Sequence, residues 1–121
     1  MLEARGPMGL RKDLHIKALT EDYVISERWR TVHGKYPNQK DVDRMFADFV
    51  PMQLKVLSKY TKLIPGALKC YKELRKRGLK IGSSTAFTRP MVDILNKAAK
   101  KQGFIMDATV AGDEVANGAR P

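Results

Sequence analysis

The sequence has few of the features that mark several protein classes. It contains one cysteine, Cys70, which we expect to be a small core residue; this count excludes an intramolecular disulfide and is typical of a reducing, cytoplasmic compartment. No apolar run approaches the roughly 18 residues that a membrane-spanning helix needs, and the N-terminus lacks the apolar segment of a secretory signal. Zinc-ligand spacing, a Walker loop and a nucleophile elbow are also missing. We therefore expect a cytoplasmic protein without a membrane partner.

Acidic residues are scarce relative to basic ones. The chain has 13 Asp and Glu against 23 Lys and Arg, which gives a formal net charge of +10 and predicts an anionic partner such as a phosphorylated metabolite or a nucleic acid. The few aromatic residues fall mostly on predicted core stripes rather than between basic residues, which argues against a nucleic-acid interface. A basic nucleic-acid-binding module stays an alternative, and its binding would weaken steeply with salt.

The first half of the chain predicts helices only. Pro7 suits the first turn of a helix that we place over residues 8–20. A second helix should stop at Gly34, and Asn38 should cap a third, which Pro51 should kink or restart. Short loops between these helices are typical of a small antiparallel bundle.

The second half predicts alternating helices and strands. A helix closed by Gly78 precedes a strand over 79–83, and a helix over 90–103 precedes a strand over 108–110. This order is typical of a parallel α/β sheet. Because two strands are too few for an independent sheet, we expect this half to be incomplete.

Lys12 is the first candidate for chemistry, because it interrupts an apolar stripe formed by Met8, Ile16 and Leu19. Burial and the adjacent charge of Arg11 disfavour the ammonium form and favour a neutral amine, which can attack a carbonyl and form a Schiff base. His15 lies one turn along on a neighbouring face. The alternative is a surface lysine whose stem covers apolar neighbours, and spacing alone favours that interpretation.

The second candidate is the end of the first predicted strand, Ser83-Ser84-Thr85. Ligands of open α/β folds bind at the carboxyl ends of strands, where amides and hydroxyls hold phosphate oxygens; a turn with a Ser or Thr cap is an equally good interpretation. Arg89 and Arg120 are candidate anion contacts. Asp41 and Asp43 imitate a paired-carboxylate motif, but their place at a helix start favours a structural role.

The segment from Met8 to His15 reads Met-Gly-Leu-Arg-Lys-Asp-Leu-His. It resembles the Met-Gly-Leu-x-Lys-x-x-His segment in the cap domain of the phosphonoacetaldehyde hydrolases (phosphonatases), which belong to the haloacid dehalogenase superfamily. The same family's order and spacing continue through Arg28-Trp29, Ile64-Pro65-Gly66, residues 78–89 and residues 118–121. The resemblance covers nearly all of the chain.

This resemblance implies an α/β fold in two parts. Residues 1–60 would form a helical cap domain, a small antiparallel helix bundle, and residues 61–121 a partial Rossmann-like haloacid dehalogenase core.

The resemblance also implies roles for particular residues. In the family, the lysine that matches Lys12 forms an imine with the substrate aldehyde, and the protonated imine accepts the electrons released when the carbon–phosphorus bond breaks. By the same match, Met8 and His15 would line the lysine's pocket, Thr85 would contact the phosphoryl group, and Arg120 would bind the phosphonate.

Some parts of the family pattern are changed or missing. Ala86-Phe87 stands where the family usually has Gly-Tyr, and one extra residue lies within 118–121. The segments that carry the family's nucleophilic aspartate and its Mg²⁺-binding acidic pair have no match. We therefore expect an internal fragment that is catalytically incomplete alone, with Mg²⁺ ligands in the missing core.

The expected partners follow from the same comparison. The first is a small phosphonate substrate. The second is a protein chain: either another copy of this chain, in a homodimer formed through the cap, or a complementary core chain. A haloacid dehalogenase-type phosphatase of another small substrate is the alternative function. It would need no lysine that reacts with carbonyls.

Overall fold

The computed structural model describes residues 3–116, which form five α-helices and two β-strands. The helices are α1 (Lys12–Glu21), α2 (Tyr23–His33), α3 (Gln39–Leu57), α4 (Ala67–Lys76) and α5 (Arg89–Lys101). The strands are β1 (Gly82–Ser84) and β2 (Ala108–Val110). Short 3₁₀ turns lie at Glu3–Arg5, Ser58–Tyr60 and Gly112–Glu114.

The first three helices form the predicted helical unit, in which α1 packs against α2 and α3. Gly34 ends α2 with a φ of 73°, as its position predicted, because glycine adopts the left-handed region without a steric penalty. The Asn38 side chain accepts from the backbone of Lys40 and Asp41, while Asp41 accepts from the backbone N–H of Asn38. This reciprocal cap confirms the structural role predicted for Asp41.

The two strands pair in parallel, with Gly82 opposite Ala108 and Ser84 opposite Val110. This confirms the predicted parallel arrangement. Ser83 and Thr109 are half-buried on the face that carries α5, where the Asn96 side chain donates to Thr109 Oγ1 at 3.3 Å. The other residues of β1 and β2 are exposed, so one face of the two-stranded sheet is covered.

Two large, fully buried side chains come from α5, which carries Met91 and Val92 at 0% and 1% exposure. α3 also contacts α5, so the helical unit and the α/β half share this part of the core. Gln102 joins the same region to the segment before α4. Its side chain donates to the Thr61 carbonyl at 2.8 Å and accepts from the Leu63 N–H at 3.1 Å.

The predicted start of α1 at residue 8 is wrong, because α1 begins at Lys12. Gly9 has a φ of 105°, which is incompatible with a right-handed helix, and residues 6–9 form turns instead. Pro51 was expected to kink or restart the third helix. The restart is wrong, because α3 continues through Pro51, and the kink stays a prediction.

Cys70 is exposed, which corrects its prediction as a core residue. The buried residue of α4 is Tyr71, the next position, because adjacent positions on a helix face different directions. Within residues 3–116, no helix is both long and apolar enough to span a membrane.

Candidate active site

Lys12 lines a cavity of about 390 Å³ between α1, α3 and the loop that follows β1. α1 contributes one face, because residues three and four positions apart lie above one another on a helix. α3 contributes two residues one turn apart, and the loop contributes one. The lining residues are Lys12, His15, Ile16, Leu19, Phe49, Gln53 and Phe87.

The side chain that faces the lysine from the loop is Phe87. Lys12 Nζ lies 6.0 Å from the centroid of the Phe87 ring, at the outer limit of a cation–π contact. The site therefore joins a residue from the helical unit to one from the α/β half. Its walls are mainly apolar, and Lys12, His15 and Gln53 supply the polar groups.

The charge of Arg11, next to Lys12, is neutralised locally. The Arg11 guanidinium donates two hydrogen bonds to the Asp13 carboxylate, each at 2.7 Å. These bonds hold the pKa of Asp13 below its ordinary value and raise the pKa of Arg11. The expected repulsion between Arg11 and Lys12 is therefore offset by Asp13.

His15 has two different ring nitrogens. Nε2 lies 3.1 Å from the Ala4 carbonyl oxygen, and because a carbonyl only accepts, Nε2 must carry the proton of this hydrogen bond. Nδ1 is buried and has no hydrogen-bond partner among residues 3–116. In the neutral ring, Nδ1 is then a free acceptor on a residue that lines the same cavity as Lys12.

The loop after β1 is held by backbone contacts. Thr85 donates its N–H to the Val110 carbonyl at 3.1 Å, and its Oγ1 accepts from the Phe87 N–H at 3.2 Å. The Phe87 carbonyl accepts from the Gly112 N–H at 2.8 Å. A Cβ added to Gly112 would lie 3.0 Å from the Ala86 carbonyl oxygen, so this contact leaves no room for a larger residue.

Arg89, a candidate anion contact, is engaged within the protein. Its guanidinium donates to the Glu114 carboxylate, with Nε to Oε1 at 2.9 Å, and to the Thr109 carbonyl at 2.9 Å. The Glu114 hydrogen bonds raise the pKa of Arg89, and the Arg89 bond keeps the pKa of Glu114 below its ordinary value. Arg89 therefore ties the start of α5 to the turn after β2.

The other predicted site residues lie in different surroundings. Met8 is 66% exposed, in the turn before α1, and is not among the residues that line the cavity. Thr85 lies two residues before Phe87 at the end of β1, with its hydroxyl oxygen already accepting one hydrogen bond. Arg120 lies outside the described residues.

In residues 3–116, no three His, Cys, Asp or Glu side chains lie close enough together to hold a metal ion.

Comparison with known proteins gives a consistent result. The chain is 40% identical over 116 residues to a phosphonoacetaldehyde hydrolase from Syntrophobacter fumaroxidans, 41% to one from Pseudomonas aeruginosa and 43% to one from Bacillus cereus. Each alignment covers 96% of this chain. The chain is homologous to the phosphonoacetaldehyde hydrolases. It spans 42% to 44% of the length of these relatives, and no family model matches it.

The fold agrees with this relationship. The crystal structure of a phosphonoacetaldehyde hydrolase-like protein from Oleispira antarctica superposes with a TM-score of 0.92 at 32% identity. The superposition covers 99% of this chain and 43% of the Oleispira antarctica protein. The predicted α/β fold, with helices beside a partial haloacid dehalogenase core, is therefore confirmed. The domain boundary at residue 60 stays a prediction.

Sequence reasoning did not place Phe49, Gln53 or Phe87 at the lysine site. Phe49 and Gln53 are one turn apart on α3, so their shared face was readable, but no local signal said which helix it would meet. Phe87 stood out only as a departure from the phosphonoacetaldehyde hydrolase pattern. Its position opposite Lys12 depends on how the loop after β1 meets the helical unit.

Proposed function

We propose that this chain contributes the imine-forming part of a phosphonoacetaldehyde hydrolase-type site, in which Lys12 condenses with the aldehyde of a small phosphonate. The observation that carries this proposal is the cavity that joins Lys12, His15 and Phe87. The apolar side chains around Lys12 can position a small carbonyl compound beside its amine while the imine forms.

Every atom of the condensation between Lys12 and the aldehyde is accounted for. The neutral Lys12 amine forms a bond to the carbonyl carbon, and the carbonyl oxygen leaves as water with the two hydrogens of the amine. We propose His15, which lines the same cavity, as the group that assists the proton transfers of this exchange. Once its nitrogen is protonated, the imine can accept the electron pair of the carbon–phosphorus bond.

The phosphonate end would face the carboxyl end of β1. The Thr85 hydroxyl oxygen accepts from the Phe87 N–H, which leaves its own hydrogen free to donate to a phosphonate oxygen. Arg120 is proposed as a second anion contact. The group that accepts the phosphoryl moiety, a carboxylate or water, and the ligands for Mg²⁺ would come from outside residues 3–116, because those residues offer no metal-binding cluster.

The test is to trap the imine. The full chain is incubated with phosphonoacetaldehyde, reduced with borohydride and mapped by peptide mass spectrometry. We expect selective modification of Lys12 and its loss in Lys12→Arg. Lys17→Arg is the matched control, because Lys17 lies on the same helix but is exposed and paired with Glu21. Modification spread over many lysines would contradict the proposal and favour a phosphatase-like activity without an imine.

A further inference from the structure

Phe87 gives the wall opposite Lys12 an apolar character. The lysine Nζ lies 6.0 Å from the ring centroid, and Ile16, Leu19 and Phe49 complete the apolar lining. A phenyl ring offers a bound molecule contact area but no hydroxyl donor or acceptor. A substituent on the substrate that points towards this wall can therefore be stabilised by burial and not by hydrogen bonding.

The position of Phe87 is fixed by its backbone on both sides. Its N–H donates to Thr85 Oγ1 at 3.2 Å, and its carbonyl accepts from the Gly112 N–H at 2.8 Å. Ala86 packs so closely on Gly112 that an added Cβ would be 3.0 Å from its carbonyl oxygen. These contacts fix the backbone from which the ring projects, so the loop cannot move away from the cavity without breaking them.

The cavity has room for a short alkyl group on the carbonyl carbon. Its volume of about 390 Å³ compares with the ~30 Å³ that one water molecule occupies in the liquid. Filling such space with a methyl or methylene group favours binding by about fourfold per group, if the group is fully buried. A carboxylate in the same place would lose its hydration without a hydrogen-bond donor from the ring.

We propose that Phe87 makes this site selective for carbonyl compounds that carry a short alkyl group on the carbonyl carbon, of the 2-oxoalkylphosphonate class. This inference rests on the proposed function, because the selectivity acts on the imine at Lys12. The reaction is the same condensation, with the alkyl group in place of the aldehyde hydrogen. Carboxylate-bearing analogues are disfavoured for the reason given above.

The experiment is a competition. The full chain is incubated with equal amounts of phosphonoacetaldehyde and 2-oxopropylphosphonate, reduced with borohydride, and the two adducts on Lys12 are quantified by mass. Nα-acetyl-lysine, whose ε-amine is free, is treated identically and corrects for the greater intrinsic reactivity of the aldehyde. We expect Lys12 to enrich the ketone adduct by about fourfold or more over this reference. Phosphonopyruvate in a parallel competition should be depleted.

The variants test whether Phe87 is responsible. Phe87→Tyr adds a hydroxyl to the wall and should reduce the enrichment, whereas Phe87→Leu keeps an apolar wall and should retain most of it. Phe104→Tyr is the matched control, because Phe104 stacks on Tyr71 outside this cavity. A Lys12 ratio equal to the Nα-acetyl-lysine ratio, or one unchanged by Phe87→Tyr, overturns the inference while leaving the imine intact. Failure of both compounds to label Lys12 overturns the proposed function as well.

Discussion

Arg89 and Glu114 form a paired hydrogen bond that ties the start of α5 to the turn after β2. Arg89 Nε donates to one Glu114 oxygen at 2.9 Å, and the other oxygen accepts from the Ala111 N–H at 2.8 Å. Since α5 follows directly after the loop that holds Phe87, this pair braces that loop. It links two segments that are 25 residues apart in the sequence.

The first prediction concerns this pair and its dependence on pH. The Arg89 bond keeps the pKa of Glu114 below its ordinary value of 4.5, so its contribution to stability is fully present above that pH and is lost as the pH falls through the folded-state value. Glu114→Gln should therefore lower the melting temperature at pH 7 and have a smaller effect at pH 3.

The control for this prediction is Glu73→Gln. Glu73 forms a comparable exposed pair with Lys76, but one turn apart on a single helix. It should change the melting temperature little at either pH. Equal effects of the two variants, or an effect of Glu114→Gln that grows in acid, would contradict the assigned role. Circular dichroism melting curves at the two pH values are sufficient.

The second prediction tests the close packing of Gly112 on Ala86. Gly112→Ala would place a Cβ 3.0 to 3.1 Å from three backbone atoms of Ala86, which must move to admit it. We expect a loss of about 1–3 kcal/mol in the free energy of unfolding, measured by urea denaturation. In Gly82→Ala, the new Cβ would lie 3.6 Å from the Ala108 carbonyl oxygen, an ordinary contact. A Gly112 variant as stable as the Gly82 variant would refute the crowding.

Local signals in the sequence were sufficient for some elements and not for others. Gly34 and Asn38 act on their own neighbours, so the end of α2 and the start of α3 could be predicted from residue type. Pro7 also looked like a helix start, but the left-handed Gly9 two residues later delayed α1 to Lys12. The prediction took Pro7 into account but not the conformation of Gly9.

The candidate site was only partly predictable for a different reason. Lys12 and His15 share one helix face, which periodicity reveals, and the sequence resemblance named both. Their partners Phe49 and Phe87 come from another helix and from a loop, so their arrival depends on tertiary packing. Cys70 shows the same limit, because its helix was predicted and the direction it faces was not.

The third prediction concerns the core under α5. Met91 is fully buried, so Met91→Ala should leave a cavity and cost about 2–5 kcal/mol of unfolding free energy, measured by urea denaturation. Met52→Ala is the control, because Met52 is 65% exposed on α3 and its truncation should change stability by no more than about 0.5 kcal/mol. Similar losses in the two variants would show that Met91 is not a central core residue.

The last prediction concerns Gln102, whose side chain joins α5 to the segment between α3 and α4. It donates to the carbonyls of Thr61 and Ala98 and accepts from the Leu63 N–H. Gln102→Ala removes all three bonds and should raise the amide exchange rate of Leu63, since each bond contributes about 1 kcal/mol.

Gln102→Glu distinguishes the hydrogen bond that the side chain accepts from the two that it donates. A carboxylate still accepts from the Leu63 N–H but cannot donate to the two carbonyls, which it would repel. Leu63 should therefore stay better protected than in Gln102→Ala, while the melting temperature falls in both variants. Gln39→Ala is the control, because that exposed side chain bonds Asp43, one turn along the same helix. If Leu63 exchanged equally fast in both Gln102 variants, its protection would come from the surrounding packing and not from the Gln102 oxygen. Hydrogen exchange followed by NMR distinguishes these results, because it reports the Leu63 amide separately from global unfolding.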